Sequence, residues 1–475
     1  MNINIEYETT LSEPSERVLA VAESFGIGID DTIKHTILNN FEFNEDFDVL
    51  YITGMSGSGK SSLLNYLKQH YGCMDYTIDM NTNQPIVDLL GDNVGEALEL
   101  LSLVGLGEAF LFIKPPKLLS EGQRYRFMLA QMLNSKQKVI CIDEFTSFLD
   151  RNTARVVAYN LQKVCRRLGT KLIVATAHSD LQDYLMPSRV IDFTNGDMVF
   201  SDDLTWDNYD NPFLKDIEIV NGDLDDYKKL SKYHYKNTKT VPGVKSVFKM
   251  LYRGKMIGVA VYSCPNRQLR GRNIFFENRY LNKGVPIMGD INRDFLTGSR
   301  FIIHPLYRGC GLGSHLVRET IKYAKTPFVE VVASMAKYNR FLQRANLIDG
   351  GDNESTEKQK QQAKIKAIMD KYNMSYDLLG SKKYCEEVLK VIPIEELREA
   401  IWSTAVSVIF LKSGRKTSKK DFQEVEITPS LLKDCKLATT RYMLYINPLY
   451  AQECKGCGTY HNKELIKDDL CPSCK

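Results

Sequence analysis

Three groups of residues in this chain have the types and spacing to do chemistry. The run Gly54-Met55-Ser56-Gly57-Ser58-Gly59-Lys60-Ser61-Ser62 follows an apolar stretch at 49–53. Glycines at this density let successive backbone N–H groups, and the N-terminus of a following helix, face an anion. Lys60 adds a point charge for terminal phosphate oxygens and the Ser61 hydroxyl a ligand for Mg2+, the set that cradles a nucleoside triphosphate such as ATP. Further along, Val139-Ile140-Cys141-Ile142 ends in the paired acids Asp143 and Glu144. At the end of a strand beside a bound triphosphate, Asp143 would hold Mg2+ through water and Glu144 would polarise the attacking water. The second group is Arg308-Gly309-Cys310-Gly311-Leu312-Gly313-Ser314, set between an apolar stretch at 300–304 and an amphipathic run at 314–324. A glycine-rich strand-to-helix turn offers backbone donors to a pyrophosphate. The third is Cys454-x2-Cys457 and Cys471-x2-Cys474, separated by 13 residues. Two such knuckles place four thiolates around Zn2+ and leave no open position, so the ion would be structural.

Leu119-Ser120-Glu121-Gly122-Gln123 lies between the Lys60 loop and Asp143-Glu144, with Ser147-Phe148-Leu149-Asp150 and His178 following. In this order, across residues 50–180, the motifs resemble those of the ABC ATPases. The resemblance implies a head-to-tail homodimer in which Ser120, Gly122 and Gln123, at a helix N-terminus, meet the γ-phosphate held by the other subunit. It further implies that Asp150 couples the two sites and that His178 senses the γ-phosphate. Gln84 stands where the family's Q-loop is expected, and reads equally as part of an ordinary polar turn. The signature departs from LSGGQ at Glu121, which brings negative charge toward the triphosphate and works against dimer closure or selects a partner.

The run FIIHPLYRGCGLGSHLV, residues 301–317, looks like motif A of the GNAT N-acyltransferases. That likeness implies acetyl-CoA or a related acyl-CoA, bound through the backbone of Arg308 to Ser314. Residues 328–332 and 338–347 match the family's following strand and helix. Leu342 stands where many members carry a tyrosine acid and Asn346 replaces the usual glycine, so Tyr338 is the alternative acid. His234, Tyr235 and Asn339 are candidates to face the substrate, and a Tyr/His-rich helix packed on a sheet is an equal reading of the first two. The order of the two halves resembles a small family of ABC-type ATPases fused to an acetyltransferase domain. The second half is also similar to the Mom proteins, which alter adenine in DNA. The resulting expectation is an ATP-hydrolysing acyl-CoA-dependent N-acyltransferase acting on a nucleic-acid base. The alternatives are transfer to protein or a small amine, and a DNA-repair or regulatory ATPase with a non-catalytic GNAT unit.

These residues require an α/β scaffold. Strand-like runs at 49–53, 139–142 and 171–175 alternate with helical patterns, the rhythm of a parallel sheet, and predict a first α/β domain over residues 1–203, which the resemblance to the ABC ATPases implies is a P-loop ABC-type domain. A turn-rich linker at 202–212 leads to a GNAT-like α/β domain over 213–450, with strands at 217–220, 246–252, 256–263, 300–304, 328–332 and 440–447. A charged helical insertion interrupts it at about 352–437, and 451–475 forms the small zinc ribbon. At 475 residues and 43% hydrophobic, the chain is long enough for several cores. Lys+Arg 62 against Asp+Glu 59 leaves a net charge of only +3, so nucleic-acid affinity would have to come from local cations. Arg267, Arg270, Arg272, Lys412, Arg415, Lys416, Lys419 and Lys420 are those available. No apolar run is long enough to span a bilayer. That absence and the single, scattered remaining cysteines predict a cytoplasmic protein without a membrane partner.

Overall fold

The computed structural model describes every residue except 10–14, 27–32, 194–198, 202–210, 235–240, 338, 355, 415–416, 437–438 and 475. The chain divides into two compact units: Met1–Lys239 with Phe248–Val259 and Ile302–Leu316, and Thr240–Val247 with Ala260–Phe301 and Val317–Lys475.

The first unit opens with an antiparallel hairpin, β1 (Asn2–Thr9) and β2 (Ile33–Glu42), with α1 (Glu16–Phe25) between its strands. A five-stranded sheet follows: β3 (Val49–Gly54), β4 (Val139–Ile142), β5 (Lys171–Thr176), β6 (Arg189–Phe193) and β7 (Val199–Ser201), in the order β4-β5-β3-β6-β7. All pairs are parallel except β6 with β7. A parallel strand covered on both faces reads as an unbroken apolar run, and the first four residues of β3, Val-Leu-Tyr-Ile, are fully buried. The covering helices are α2 (Lys60–Tyr71), α3 (Val94–Leu103), α4 (Ala109–Phe112), α5 (Glu121–Asn134), α6 (Arg151–Leu168) and α7 (Gln182–Leu185). Leu63, Leu64 and Leu67 of α2, at helical spacing, join Ile52, Ile173 and Ile191 in one core. Helix α6 has a defined start and stop: Asp150 accepts from the N–H groups of Asn152 and Thr153, and Gly169 closes the last turn in the left-handed region.

A seven-stranded sheet follows, built from β8 (Ile217–Asn221), β9 (Val244–Tyr252), β10 (Lys255–Ser263), β13 (Phe295–Ile303), β14 (Phe328–Ala333), β15 (Ile348–Asp352) and β16 (Arg441–Ile446). Its order is β15-β16-β14-β13-β10-β9-β8. Helix α8 (Leu224–Ser231) follows β8, α9 (Arg270–Phe275) follows β10, and α10 (Met288–Asp294) precedes β13. The two-residue strands β11 (Leu281–Asn282) and β12 (Val285–Pro286) pair between α9 and α10, and α11 (Leu312–Ile321) follows β13. Parallel β13 and β14 are paired at only three positions, Phe295 with Phe328, Leu296 with Val329 and Thr297 with Glu330. Beyond that point β14 keeps its antiparallel partner β16 as far as Ala333, but β13 and β14 share no further rungs. The two strands therefore fork.

Between β15 and β16 the chain forms α12 (Thr356–Lys371), α13 (Lys382–Val391), α14 (Ile394–Ser413), α15 (Lys419–Phe422) and α16 (Pro429–Asp434). These helices enclose a core of their own around Ile365, Met369, Leu379, Val388, Leu397 and Ile401. The tail is a hairpin of β17 (Ala451–Glu453) and β18 (Tyr460–Asn462). Two expectations need correction. Among the described residues 339–347 no α-helix forms; a 3-10 turn lies at Gln343–Ala345, and Asn346 stops it by adopting φ +67°. The strand expected at 300–304 begins at Phe295 and runs to Ile303, its first three residues pairing with β14.

Candidate functional site

The nucleotide site grows from the end of β3. The loop 54–59 feeds α2 directly, and Gly59 is required where the two join: its φ is +98°, and a Cβ there would lie 2.5 Å from Ile37 Cγ2. Ser56, Gly57 and Ser61 are exposed, while Ser58, Lys60 and Ser62 are half-buried. The Lys60 ammonium donates to the carbonyls of Gly54 (2.9 Å) and Met55 (2.5 Å). Burial lowers its pKa, against the pull of Asp143 in the other direction.

Asp143 and Glu144 begin a strained turn after β4. Glu144 has φ +45° and Thr146 φ +66°, both in the left-handed region that non-glycine residues avoid. The surroundings hold it there. Phe145 N–H donates to the Ala175 carbonyl at 2.8 Å, Glu144 N–H to Asp143 Oδ1 at 2.8 Å, and Thr146 N–H to the buried Tyr125 hydroxyl at 3.0 Å. Tyr125 lies on α5, the helix capped by Ser120, so that helix itself clamps the turn at Asp143 and Glu144. Gln123 Oε1 accepts from Ser120 N–H at 3.0 Å, which makes Gln123 part of the helix cap. Ser120 is exposed and Gly122 half-buried. Asp150 accepts from two α6 amides at 3.1 Å each and from the Thr153 hydroxyl. Burial alone would raise its pKa; the Thr153 bonds outweigh that and hold it below the usual carboxylate range.

His178 follows β5, half-buried, and its N–H donates to Thr176 Oγ1 at 3.2 Å while its carbonyl accepts from the Tyr51 hydroxyl. Burial, then Arg151, lower its pKa, so the ring is neutral near pH 7. Gln84 is exposed in the turn before the 3-10 helix Ile86–Leu89, its N–H on Thr82 Oγ1.

The glycine loop after β13 belongs to the same unit as this site. Its three successive carbonyls are each held by a side chain: Arg308 O by Asn160 Nδ2 (3.1 Å), Gly309 O by Lys163 Nζ (2.5 Å) and Cys310 O by Asn211 Nδ2 (2.6 Å). The peptides are trans, so the N–H of each following residue, Gly309, Cys310 and Gly311, points the opposite way. Gly309, at φ +85°, has no room for a side chain, since a Cβ would lie 2.7 Å from Asn160 Nδ2. Arg308 does not face solvent. Its guanidinium donates to the carbonyls of Gly107, Ile303 and Tyr233. Cys310 and Leu312 are buried, Gly313 is half-buried and Gly311 exposed; Ser314, at the start of α11, is buried.

The remaining predicted residues are dispersed. His234 is half-buried after α8. Asn339 is exposed and folds back to accept from Phe341 N–H at 3.1 Å. Tyr235 and Tyr338 lie outside the described residues. Arg272, expected among the cations for nucleic acid, is instead fully buried: it pairs with Glu330 (Nε to Oε2, 3.0 Å) and donates to the Asn266 carbonyl at 2.7 Å. Arg270 donates to the Glu354 carbonyl, whereas Arg267, Lys419 and Lys420 are exposed.

In the tail, the ligand atoms of Cys454, Cys457, Cys471 and Cys474 lie within 4.8 Å of one another. Backbone N–H groups of Cys457, Cys471 and Gly456 outweigh the effect of burial and bring the Cys454 thiol down to about 6. A soft donor set of four sulfurs this close together is compatible with Zn2+. No helix among the described residues is long and apolar enough to cross a membrane.

Sequence reasoning missed the residues that hold these sites in place: Tyr125, Asn160, Lys163 and Asn211. It also missed the contact of Cys73 with Cys141, whose sulfurs are 3.0 Å apart. Each contact joins positions far apart in the chain, and no local pattern marks them.

No family model matches the chain. The methionine import ATP-binding protein MetN of Escherichia coli (strain K12) is 36% identical over 104 residues, 22% of this chain and 29% of that protein. MetN of Shigella flexneri serotype 5b (strain 8401) aligns with the same figures. Among solved structures, cbiO1 from Clostridium perfringens, part of the ABC transporter complex cbiONQ, covers 35% of this chain and 82% of its own, at 21% identity and a TM-score of 0.28. The ADP conformation of MJ1267, an ATP-binding cassette of an ABC transporter, covers 36% and 82%, at 17% identity and a TM-score of 0.27. The matched stretch is under a third of the length of these curated relatives. Taken with the order of motifs from Lys60 to His178, the likeness to MetN identifies the N-terminal part of the chain as an ABC ATPase-like domain.

Proposed function

We propose that this protein hydrolyses ATP as a head-to-tail dimer and transfers an acyl group from acyl-CoA to an amine of a nucleic-acid base. The ATPase half rests on the turn at Asp143 and Glu144. Ser61 and Asp143 would hold Mg2+ and Lys60 the terminal phosphates, while Glu144 takes the proton of the attacking water. Met55 and Phe148, 63% and 56% exposed beside the phosphate loop and Asp150, are apolar surface of the kind a second subunit covers.

The transferase half is carried by one observation: the three loop carbonyls tied back by Asn160, Lys163 and Asn211 leave consecutive N–H groups turned the other way. Consecutive N–H groups around left-handed glycines form a nest for an anion such as the CoA pyrophosphate. The fork between β13 and β14 supports the same reading, since strand edges left unpaired can bond the amides of a pantetheine arm. In the transfer, the amine nitrogen attacks the thioester carbonyl and loses its proton, the C–S bond breaks, and the thiolate takes up a proton. Tyr338 is the acid proposed for that last step, and His234, Tyr235 and Asn339 are the candidates to meet the acceptor. The four tail cysteines would hold one structural Zn2+ per chain. The exposed Arg267, Lys419 and Lys420 are left as phosphate contacts, and binding through them should weaken as salt rises.

The burial of Arg272 removes one of the cations on which a nucleic-acid acceptor depends and favours, as a second reading, transfer to protein or a small amine. The test is incubation of the full chain with Mg-ATP, labelled acetyl-CoA, and single-stranded DNA, RNA, protein or polyamine in parallel. Nucleosides from the digested nucleic acids are then weighed by mass spectrometry. A base heavier by one acyl group supports the first reading; label confined to protein or polyamine supports the second. Acetyl-CoA binding without transfer to any acceptor would leave a regulatory ATPase with a non-catalytic GNAT unit.

A further inference from the structure

We infer that the nucleotide state of the ATPase sets the acyl-CoA affinity of the 308–314 loop, with Asn160 and Lys163 of α6 and Arg126 of α5 as positioning residues. The inference rests on the acyl-CoA reading of that loop. Two helices reach from the nucleotide motifs toward it. Helix α6 starts at Asp150 and grips the loop with two side chains one turn apart, Asn160 on the Arg308 carbonyl and Lys163 on the Gly309 carbonyl. With a rise of about 1.5 Å per residue, those grips lie about 15–20 Å along a rigid rod from Asp150. Helix α5 starts at Ser120, and its Arg126 donates to the Gly122 carbonyl in the signature (3.1 Å) and to the Gly105 carbonyl (2.9 Å). Two residues on, the Gly107 carbonyl accepts from the Arg308 guanidinium.

The loop is thus bonded to α6 directly and linked to α5 through the 105–107 segment. Movement of α6 against α5 would pull on the Arg308 and Gly309 carbonyls that Asn160 and Lys163 hold, and so rotate the peptide planes of the loop. Rotating those planes re-aims the N–H groups of 309–311, the same groups that would bind the pyrophosphate. The present arrangement is also not fully satisfied. Asn160 is completely buried, yet its Oδ1 has no hydrogen-bond partner. A buried acceptor left unpaired is a cost that a second loop position can relieve, and a coupling route needs such a two-position element. A ligand that prefers one position must, by linkage, change the affinity of the other ligand by the same factor.

The test uses the full-length Glu144→Gln variant, which retains ATP, titrated calorimetrically with acetyl-CoA in Mg-ATP and again in Mg-ADP. The two dissociation constants should differ by at least about fivefold, and acetyl-CoA should shift the ratio of ATP to ADP affinity by the same factor. Adding Lys163→Met or Asn160→Leu should bring the ratio to within about twofold of one, while Lys163→Arg keeps it. A merely structural role would weaken binding equally in both states and leave the ratio unchanged, which overturns the inference. Equal affinities in the starting protein also overturn it, with the acyl-CoA reading intact. No acetyl-CoA binding in either state removes that reading instead. Amide hydrogen exchange of residues 305–316, measured without acyl-CoA, then decides independently: exchange that differs between ATP and ADP upholds coupling to the loop, and identical exchange refutes it. Should Asn160→Leu melt early, Lys163→Met, at a half-buried position, carries the comparison.

Discussion

Replacing Tyr125 with phenylalanine isolates the hydroxyl that clamps the catalytic turn. The ring stays and packing is nearly unchanged, so the perturbation is the loss of one acceptor for Thr146 N–H. Thr146 is fully buried and its Oγ1 already has no partner, so only its carbonyl, which accepts from Leu149 N–H at 3.0 Å, would remain paired. An orphaned buried N–H costs about 1–3 kcal/mol. If the turn holds its shape, the whole cost appears as lost stability, a fall of about 2–12 °C in Tm at about 2–4 °C per kcal/mol for a unit of this size. If the turn relaxes instead, Glu144 leaves its strained φ, and restoring it must precede hydrolysis. The same energy then appears in kcat, as a fall of about 5- to 150-fold. Binding of ATP should be unaffected, because the Lys60 loop is untouched. The assays are steady-state ATP turnover, fluorescent-nucleotide affinity and thermal melting. Unchanged kcat together with unchanged Tm would refute the reasoning.

Gly311→Asp places a carboxylate at an exposed position with φ +80°, facing the anion the loop would bind, and should abolish acetyl-CoA binding in calorimetry while ATP turnover persists. Cys454→Ser should release zinc, lowering metal content by mass spectrometry from one ion per chain toward none and making the tail sensitive to protease. His304 is half-buried, and burial, then Arg308, depress its pKa; its folded value lies below its unfolded one. The stability this contributes is present above about pH 6.5, the unfolded value, and is lost as pH falls through the folded value. His304→Asn, which keeps an acceptor for Leu306 N–H, should therefore flatten the fall in Tm between about pH 7.5 and pH 5 in the first unit.

Much of the scaffold was legible because it obeys local rules. The apolar run before Gly54, the acids after Ile142 and the helix opened by Ser120 each carry their signal within a few residues. The charged stretch from Asp352 was readable as helical for the same reason, and it does form α12. What could not be read is tertiary. Tyr125 is one aromatic on a helix face until the fold brings Thr146 to it. Arg308 carries no local sign that its guanidinium is consumed by the carbonyls of nearby Ile303 and of the distant Gly107 and Tyr233. Arg272 looked like surface charge because its partner, Glu330, lies in an otherwise apolar strand 58 residues away. The helix expected at 338–347 had the composition for one, but the described residues 339–347 form turns ending at left-handed Asn346.

The central claim, a composite ATPase whose turnover depends on the strained turn at Glu144, is tested most directly by light scattering of Glu144→Gln with Mg-ATP, read alongside its turnover. The account predicts a species of twice the monomer mass that retains ATP, with hydrolysis down by about 100-fold or more. A Glu144→Gln monomer that hydrolyses ATP at the wild-type rate would contradict it.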